Sequence, residues 1–251
     1  METDPNFGLP VIRRGQLVEF NPGISDEAGV LLLVDKPLDW TSFDVVAKVR
    51  KALGIRKVGH AGTLDPLATG LLILCLGKAT KVAEKLQTEE KEYKGTMRLG
   101  ATTRTEDAEG EEQDVCSVDH LTSEEIRTAT DSFLGESLQI PPMFSARKVK
   151  GKRLYKLARK GIEVERPAKP ITIHEFEITR IDLSDNRPQI DFRVCCSKGT
   201  YVRSLARDLG QKLGVGGYLL RLRRTRIGSF CMEDGVGIEE IISFNRSPSQ
   251  D

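Results

Sequence analysis

The 251-residue chain predicts a mixed α+β fold, with a largely antiparallel central sheet and flanking helices. Strand-length apolar runs and two-residue alternations recur along its length, with helical patterns between only some of them. No strand–helix alternation with a phosphate-binding glycine loop is present. The length allows one large domain or two modest ones around a substantial core.

Taken in order, residues 1–29 are rich in Pro, Gly, Asn and charge and are expected to form an arm over the body, not a core element. Residues 30–34 are a continuous apolar run of strand length, punctuated by Lys36-Pro37. Thr41-Ser42 then caps a helix with a buried face of Val45, Val46, Val49 and Leu53, ending near Gly54. A short segment at 58–61 leads into a glycine-framed loop, residues 71–76 read as a buried strand, and 79–86 as a helix. Tyr93, Gly95, Met97 and Leu99 alternate with polar residues, which puts Tyr93 on one face of a strand.

The acidic stretch 106–119 reads as a loop, and Thr122-Ser123-Glu124-Glu125 has capping-box chemistry for a helix running to about Gly135. Pro141-Pro142 breaks that pattern, and Lys150-Gly151-Lys152 turns into a short amphipathic helix at Leu154, Tyr155 and Leu157, stopped near Gly161. Residues 171–183 and 189–196 are strands, the second with Ile190, Phe192, Val194 and Cys196 on its buried face. Thr200 is the expected cap of a helix in which Val202, Leu205, Ala206, Leu209 and Leu213 recur at helical spacing and Arg203 and Arg207 lie one turn apart. A strand at 219–228 and a short helix at 238–242 precede a frayed tail.

The 38 basic and 37 acidic side chains nearly cancel, but they are segregated. Residues 106–136 hold eleven acidic side chains against Arg127, 147–169 ten basic against Glu163 and Glu165, and 198–226 eight basic against Asp208. Such blocks suit a polyanion-binding face on a near-neutral protein, or two solvated charged surfaces. The five cysteines are odd in number and lack paired ligand spacing, and His60, His120 and His174 stand apart, so reduced thiols and no metal are expected. Neither a signal peptide nor an apolar stretch of the roughly 20 residues a membrane helix needs is evident, which points to a cytoplasmic protein.

The candidate active site is Gly59-His60-Ala61-Gly62-Thr63-Leu64-Asp65-Pro66-Leu67-Ala68-Thr69-Gly70. Its glycines allow turning and close approach, and Pro66 biases Asp65 toward an extended backbone. A lone loop carboxylate serves as nucleophile, general base, metal ligand or turn residue. Metal ligation is the weakest of these, since the segment holds no second Asp or Glu. A nucleophilic Asp65 has to stay ionised in a desolvated pocket, which calls for a cation. Arg203, in Ser197-Lys198-Gly199-Thr200-Tyr201-Val202-Arg203, is the candidate, its fork projecting near the end of the preceding strand. A surface or structural ion pair is the other reading of Arg203.

This loop, together with Leu33-Val34-Asp35-Lys36-Pro37, Lys91-Glu92-Tyr93, the 100–110 run with Thr103-Arg104-Thr105 and Asp107, Pro141-Pro142-Met143-Phe144-Ser145-Ala146 and Lys198-Gly199-Thr200-Tyr201-Val202-Arg203, resembles a TruB-type tRNA pseudouridine synthase over about residues 30–228. The resemblance implies the pseudouridine synthase fold and a cofactor-free isomerisation, in which the N-glycosidic bond of a uridine breaks, the base turns, and C5 is rejoined to the ribose. The position matching Asp65 is the nucleophile, with attack on the base or the sugar carbon both open. Arg203 matches the residue that pairs with that carboxylate, and Tyr93 the one that stacks on the flipped base and assists proton removal from C5. Tyr201 and Leu222 match pocket-lining positions, and His60 a histidine that helps the base leave its stack.

The resemblance further makes residues 143–161 an RNA-binding insertion, expected to be flexible without RNA, with Arg147, Lys148, Lys150, Lys152 and Arg153 as RNA contacts. The implied target is uridine 55 in the T-arm loop of tRNA, bound by a monomer. Because the chain ends soon after the 238–242 helix, a short form without a C-terminal PUA domain is expected, and no guide RNA. The expected organisation is an arm at 1–29, a catalytic domain at 30–243 and a tail at 244–251. A binding-class reading stands beside the enzyme: a chaperone that opens and refolds tRNA with catalysis dispensable. A hydrolase of another ribonucleoside bond ranks last, because it lacks the second carboxylate glycosidic hydrolysis usually employs.

Overall fold

Apolar runs without alternation form strands when both sheet faces are covered, and the first part of the chain folds on that rule. The computed structural model describes residues 1–23, 28–145, 148–149, 151–183 and 187–244, with the backbone alone at Lys148, Val149, Lys152 and Arg153. The RNA contacts expected of Arg147 and Lys150, and of the Lys148, Lys152 and Arg153 side chains, lie outside the described residues, as does the tail beyond Phe244. Two units divide the chain: residues 1–93 with 223–251, and residues 94–222.

The first unit opens with β1 (Glu2–Asp4) antiparallel to β2 (Leu9–Ile12), which runs parallel to β3 (Val30–Lys36). Helix α1 (Ser42–Leu53) starts at the predicted cap, where Thr41 and Asp44 form a reciprocal capping box, and ends at Gly54 in the left-handed region. Strands β4 (Val58–Ala61) and β5 (Ala68–Leu76) follow and pair antiparallel, and β5 pairs antiparallel with β3 from Val30↔Leu76 to Lys36↔Gly70. Leu32, Val34, Leu72 and Leu74 pack with Val45, Val49 and Leu53 of α1, while Leu31, Leu33, Leu71 and Ile73 pack with Leu86, Phe230 and Met232. Each such fully buried aliphatic side chain contributes roughly 1.5–3 kcal/mol relative to exposure.

After a 3-10 turn at Gly77–Val82, α2 (Ala83–Thr88) leads to β6 (Lys91–Leu99). The second unit continues with β7 (Thr102–Thr103), β8 (Glu112–Gln113), α3 (Ser123–Asp131), β9 (Gly135–Gln139), β10 (Lys148–Val149), β11 (Lys152–Arg153) and α4 (Leu154–Ala158). It closes with β12 (Lys169–Asp182), β13 (Gln189–Cys196), α5 (Val202–Lys212) and β14 (Gly217–Ile227), the last returning into the first unit. There β15 (Phe230–Cys231), β16 (Val236–Gly237) and α6 (Ile238–Phe244) complete the chain. The strand order is β1-β2-β3-β5-β14 in the first unit and β14-β6-β13-β12-β9 in the second. The architecture is thus mixed α+β with a large, mostly antiparallel sheet, as expected. No helix among the described residues is long and apolar enough to cross a membrane.

Four local expectations change. The first residues are not merely an arm: β1 and β2 join the sheet, and Val11, Ile12, Leu17 and Phe20 are buried. Their Pro and Gly content hid short strands stabilised by pairing to a distant element. Residues 77–82, at the start of the second expected helix, form the tighter 3-10 turn. Helix α3, expected to run to about Gly135, stops at Asp131, and residues 135–139, for which no element was expected, form β9 along β12. Four of the five β9 residues are exposed, so no alternation announces the strand. Finally, Thr200 does not cap α5; Tyr201 is the N-cap residue, and the Thr200 hydroxyl donates instead to the Ser197 carbonyl.

Candidate active site

In the first unit, the loop that carries Asp65 joins β4 to β5, and its backbone is held at several points by side chains from distant positions. Ser42, in the first turn of α1, accepts from the Leu64 N–H at 2.8 Å and donates to the Leu64 carbonyl at 3.1 Å, so one buried hydroxyl satisfies both polar groups of the residue before Asp65. On the other side, the Pro66 carbonyl accepts from the Asp39 N–H at 3.0 Å and from Lys36 Nζ at 3.3 Å. The Ala68 N–H closes a turn onto the Asp65 carbonyl at 3.0 Å. Asp65 itself is half-buried, at the centre of these anchors.

Lys36 is fully buried and also donates to the carbonyls of Pro37 and Trp40. Burial brings its pKa down to about 8 against the opposing pull of Asp65 and Asp39. Asp65 therefore stands in the field of a cation from its own unit, one to which the sequence reading gives no role of its own. His60, on β4, has its pKa lowered by burial and by the Arg224 charge, with the Gly62 backbone opposing, and so favours the neutral ring. Tyr93, on β6, is buried. His60, Asp65 and Tyr93 all belong to the first unit.

Arg203, Tyr201 and Leu222 belong to the second. The fork of Arg203 is buried and donates to the carbonyls of Thr105 at 2.9 Å and Phe144 at 2.8 Å, with Nη1 3.4 Å from Asp107 Oδ2. Asp107 and Phe144 come from two of the sequence segments singled out above. Gln139, buried at the end of the unforeseen β9, holds the α5 N-cap: its amide accepts from the Tyr201 N–H at 2.8 Å and donates to the Tyr201 carbonyl at 3.1 Å. One turn along α5, Arg207 pairs with Glu106 and Asp208. Glu106 has a left-handed backbone, φ 62°, and its other carboxylate oxygen accepts from Ser204. Burial raises the Asp208 pKa against the pull of Arg207.

Glu106, Arg207 and Asp208 border an open cleft of about 590 Å³ that is also lined by Thr102, Arg104 and Met143 among others. Its mixed charges suit a polar ligand. Leu222, on β14, is half-buried. Ser42 and Gln139 were not foreseen, because a helix-start serine and a lone glutamine carry no motif. Among the described residues no cluster of three His, Cys, Asp or Glu is disposed to hold a metal ion.

The family profile described as TruB family pseudouridylate synthase (N terminal domain) matches residues 50–202, and that of the tRNA pseudouridylate synthase B C-terminal domain matches residues 203–246. The chain is 52% identical over 219 residues to the tRNA pseudouridine synthase B of Chloroherpeton thalassium, covering 85% of this chain and 89% of that one. It is 51% identical over 224 residues to the protein of the same name from Chlorobaculum tepidum, with 87% and 92% covered. Among solved structures it is similar to one titled as a Cbf5-Nop10-Gar1 complex, at a TM-score of 0.68 and 30% identity, covering 96% of this chain and 60% of that one.

Proposed function

Because the chain belongs to the TruB family of pseudouridylate synthases, which makes it an isomerase, we propose that it converts uridine 55 in the T-arm loop of tRNA to pseudouridine. The observation that carries this reading is the identity of about half to proteins named tRNA pseudouridine synthase B over nearly their whole length. The reading has the enzyme act in the cytoplasm, as a monomer and without a guide RNA, with residues 30–243 as the catalytic domain.

Asp65 is proposed as the nucleophile. Its carboxylate bonds to the flipped-out nucleoside, the N-glycosidic bond breaks, the base turns, C5 bonds to the ribose, the carboxylate is released, and C5 loses a proton while N1 gains one. No electron or group donor is consumed. Anchors on Leu64 and Pro66 support the role, since they remove the freedom a loop carboxylate otherwise loses at the moment of reaction. Lys36 adds positive charge that favours the ionised form. Tyr93 is proposed to stack on the base and assist removal of the C5 proton, His60 to help the base leave its stack, and Tyr201 and Leu222 to line the pocket. Arg203 is proposed as the guanidinium that keeps the nucleophile ionised, and the basic segment at 147–153 as an RNA contact. Extruding a base costs a few kcal/mol, which phosphate contacts offset.

The test is tritium release from tRNA transcript labelled at C5 of uridine, with no cofactor added. Native protein is expected to release tritium from position 55 and Asp65→Asn to release none while still binding tRNA. Tight binding without release by the native chain would move the assignment to an RNA-folding chaperone.

A further inference from the structure

Arg224 of β14 is among the most deeply buried large side chains of the molecule, 1% exposed. A guanidinium is tolerated in such a place only where acceptors meet its N–H groups. Here the acceptors are neutral backbone: Nε donates to the Leu71 carbonyl at 2.7 Å and Nη2 to the Gly62 carbonyl at 3.1 Å. Those two carbonyls stand at the two ends of the segment that carries Asp65. A planar fork with fixed N–H directions sets the separation and orientation of two carbonyls in a way a point charge does not.

Both loop ends are also shaped to admit this residue. Gly62 and Gly70 have φ of +87° and +96°, and a Cβ at Gly70 would lie 2.3 Å from the Arg224 carbonyl oxygen and 2.9 Å from its nitrogen. At Gly62 it would lie 3.5 Å from Arg224 Nη1. The neighbouring Arg223 adds a donor to Thr69 Oγ1 at 3.2 Å while pairing with Asp35 of β3. Ser42 and Lys36 hold the interior of the loop, whereas Arg224 bridges its two ends.

We propose that Arg224 is a positioning residue: it closes the base of the 62–71 loop and holds the Asp65 carboxylate in register for reaction. This rests on the reading of Asp65 as nucleophile. Arg224 acts on the rate of the chemical step and leaves tRNA affinity alone, because its donors face backbone and are closed off from solvent.

The experiment compares native protein, Arg224→Lys, Arg224→Gln and Asp65→Asn in single-turnover tritium release, tRNA binding and hydrogen exchange. Lysine reaches one carbonyl but cannot span two, and glutamine removes the charge. Displacing a reacting group by about 1 Å costs on the order of 10²-fold, so the Gln variant is expected to fall by that much and the Lys variant by about tenfold or more. The Kd for tRNA stays within about twofold, and amide exchange speeds up in peptides spanning 62–71 while β3 keeps its protection. A folded variant with the native rate overturns the proposal. So does loss of protection throughout the first unit, or failure to accumulate folded protein in both variants, since either gives Arg224 a general folding role. Asp65→Asn at the native rate would instead remove the nucleophile assignment, a failure separable from the exchange result at Arg224.

Discussion

Arg203 and Asp107 form a buried ion pair, with Nη1 and Oδ2 3.4 Å apart and both side chains no more than 5% exposed. The fork also donates to the carbonyls of Thr105 and Phe144, so the guanidinium fastens two loops to the first turn of α5. Removing the carboxylate breaks a buried ion pair from one side, which typically costs about 3–5 kcal/mol. Asp107→Ala is therefore expected to lower unfolding stability by that order in denaturant titrations and to slow tritium release. Asp107→Asn, which keeps an acceptor, should lose less stability but still slow turnover.

Ser42→Ala tests the anchoring of the loop directly. The substitution orphans a buried N–H and a buried carbonyl of Leu64 at once, and each unsatisfied group costs about 1–3 kcal/mol. The expected outcome is destabilisation of about 2 kcal/mol or more by urea unfolding, with a fall in turnover number and little change in tRNA affinity. An unchanged turnover number in folded protein would mean that Lys36 and Asp39 suffice to hold the loop.

Lys36 makes stability depend on pH in an unusual direction. Its folded pKa is about 8 against 10.5 for the free side chain, so between these values the unfolded chain binds a proton the folded chain has released. Stability from this group therefore rises with pH through that window. Relative to Lys36→Met, whose pH dependence lacks the term, the native protein should gain stability between pH 8 and 10 in parallel denaturation curves.

His60 works in the lower range. Its folded pKa lies below 6.5, first through burial and then through the Arg224 charge, so the unfolded state binds the extra proton as the pH falls below 6.5. Its stabilising contribution is present above that value and lost as acid titrates the ring of the unfolded chain. An NMR titration should place the His60 ring below the usual histidine range, and Arg224→Gln should shift it upward.

Gln139→Leu is expected to loosen the start of α5 while leaving β9 paired, because the amide serves the Tyr201 backbone and not the sheet. Faster amide exchange at Tyr201–Leu205, with protection retained along β12, is the measurement.

Elements whose physics is local were legible in the sequence. The Thr41 and Thr122 capping boxes, the apolar run of β3, the alternation of β13 and the helical spacing of α5 all depend on residues within a few positions of one another. The candidate loop was legible for the same reason, since Gly, Asp and Pro announce a turn wherever they cluster. What tertiary structure alone decided is non-local. Residues 9–12 and 135–139 become strands through partners at 31–32 and 169–173, a pairing that no periodicity of their own encodes. The residues that hold Asp65 in place, Lys36, Ser42 and Arg224, stand up to 159 positions from it in sequence and act through buried hydrogen bonds to backbone carbonyls, which any residue supplies and no motif records. Local spacing thus marked the loop that carries Asp65, whereas its anchoring was set by packing, because a buried donor takes its meaning from whichever acceptor the fold brings to it.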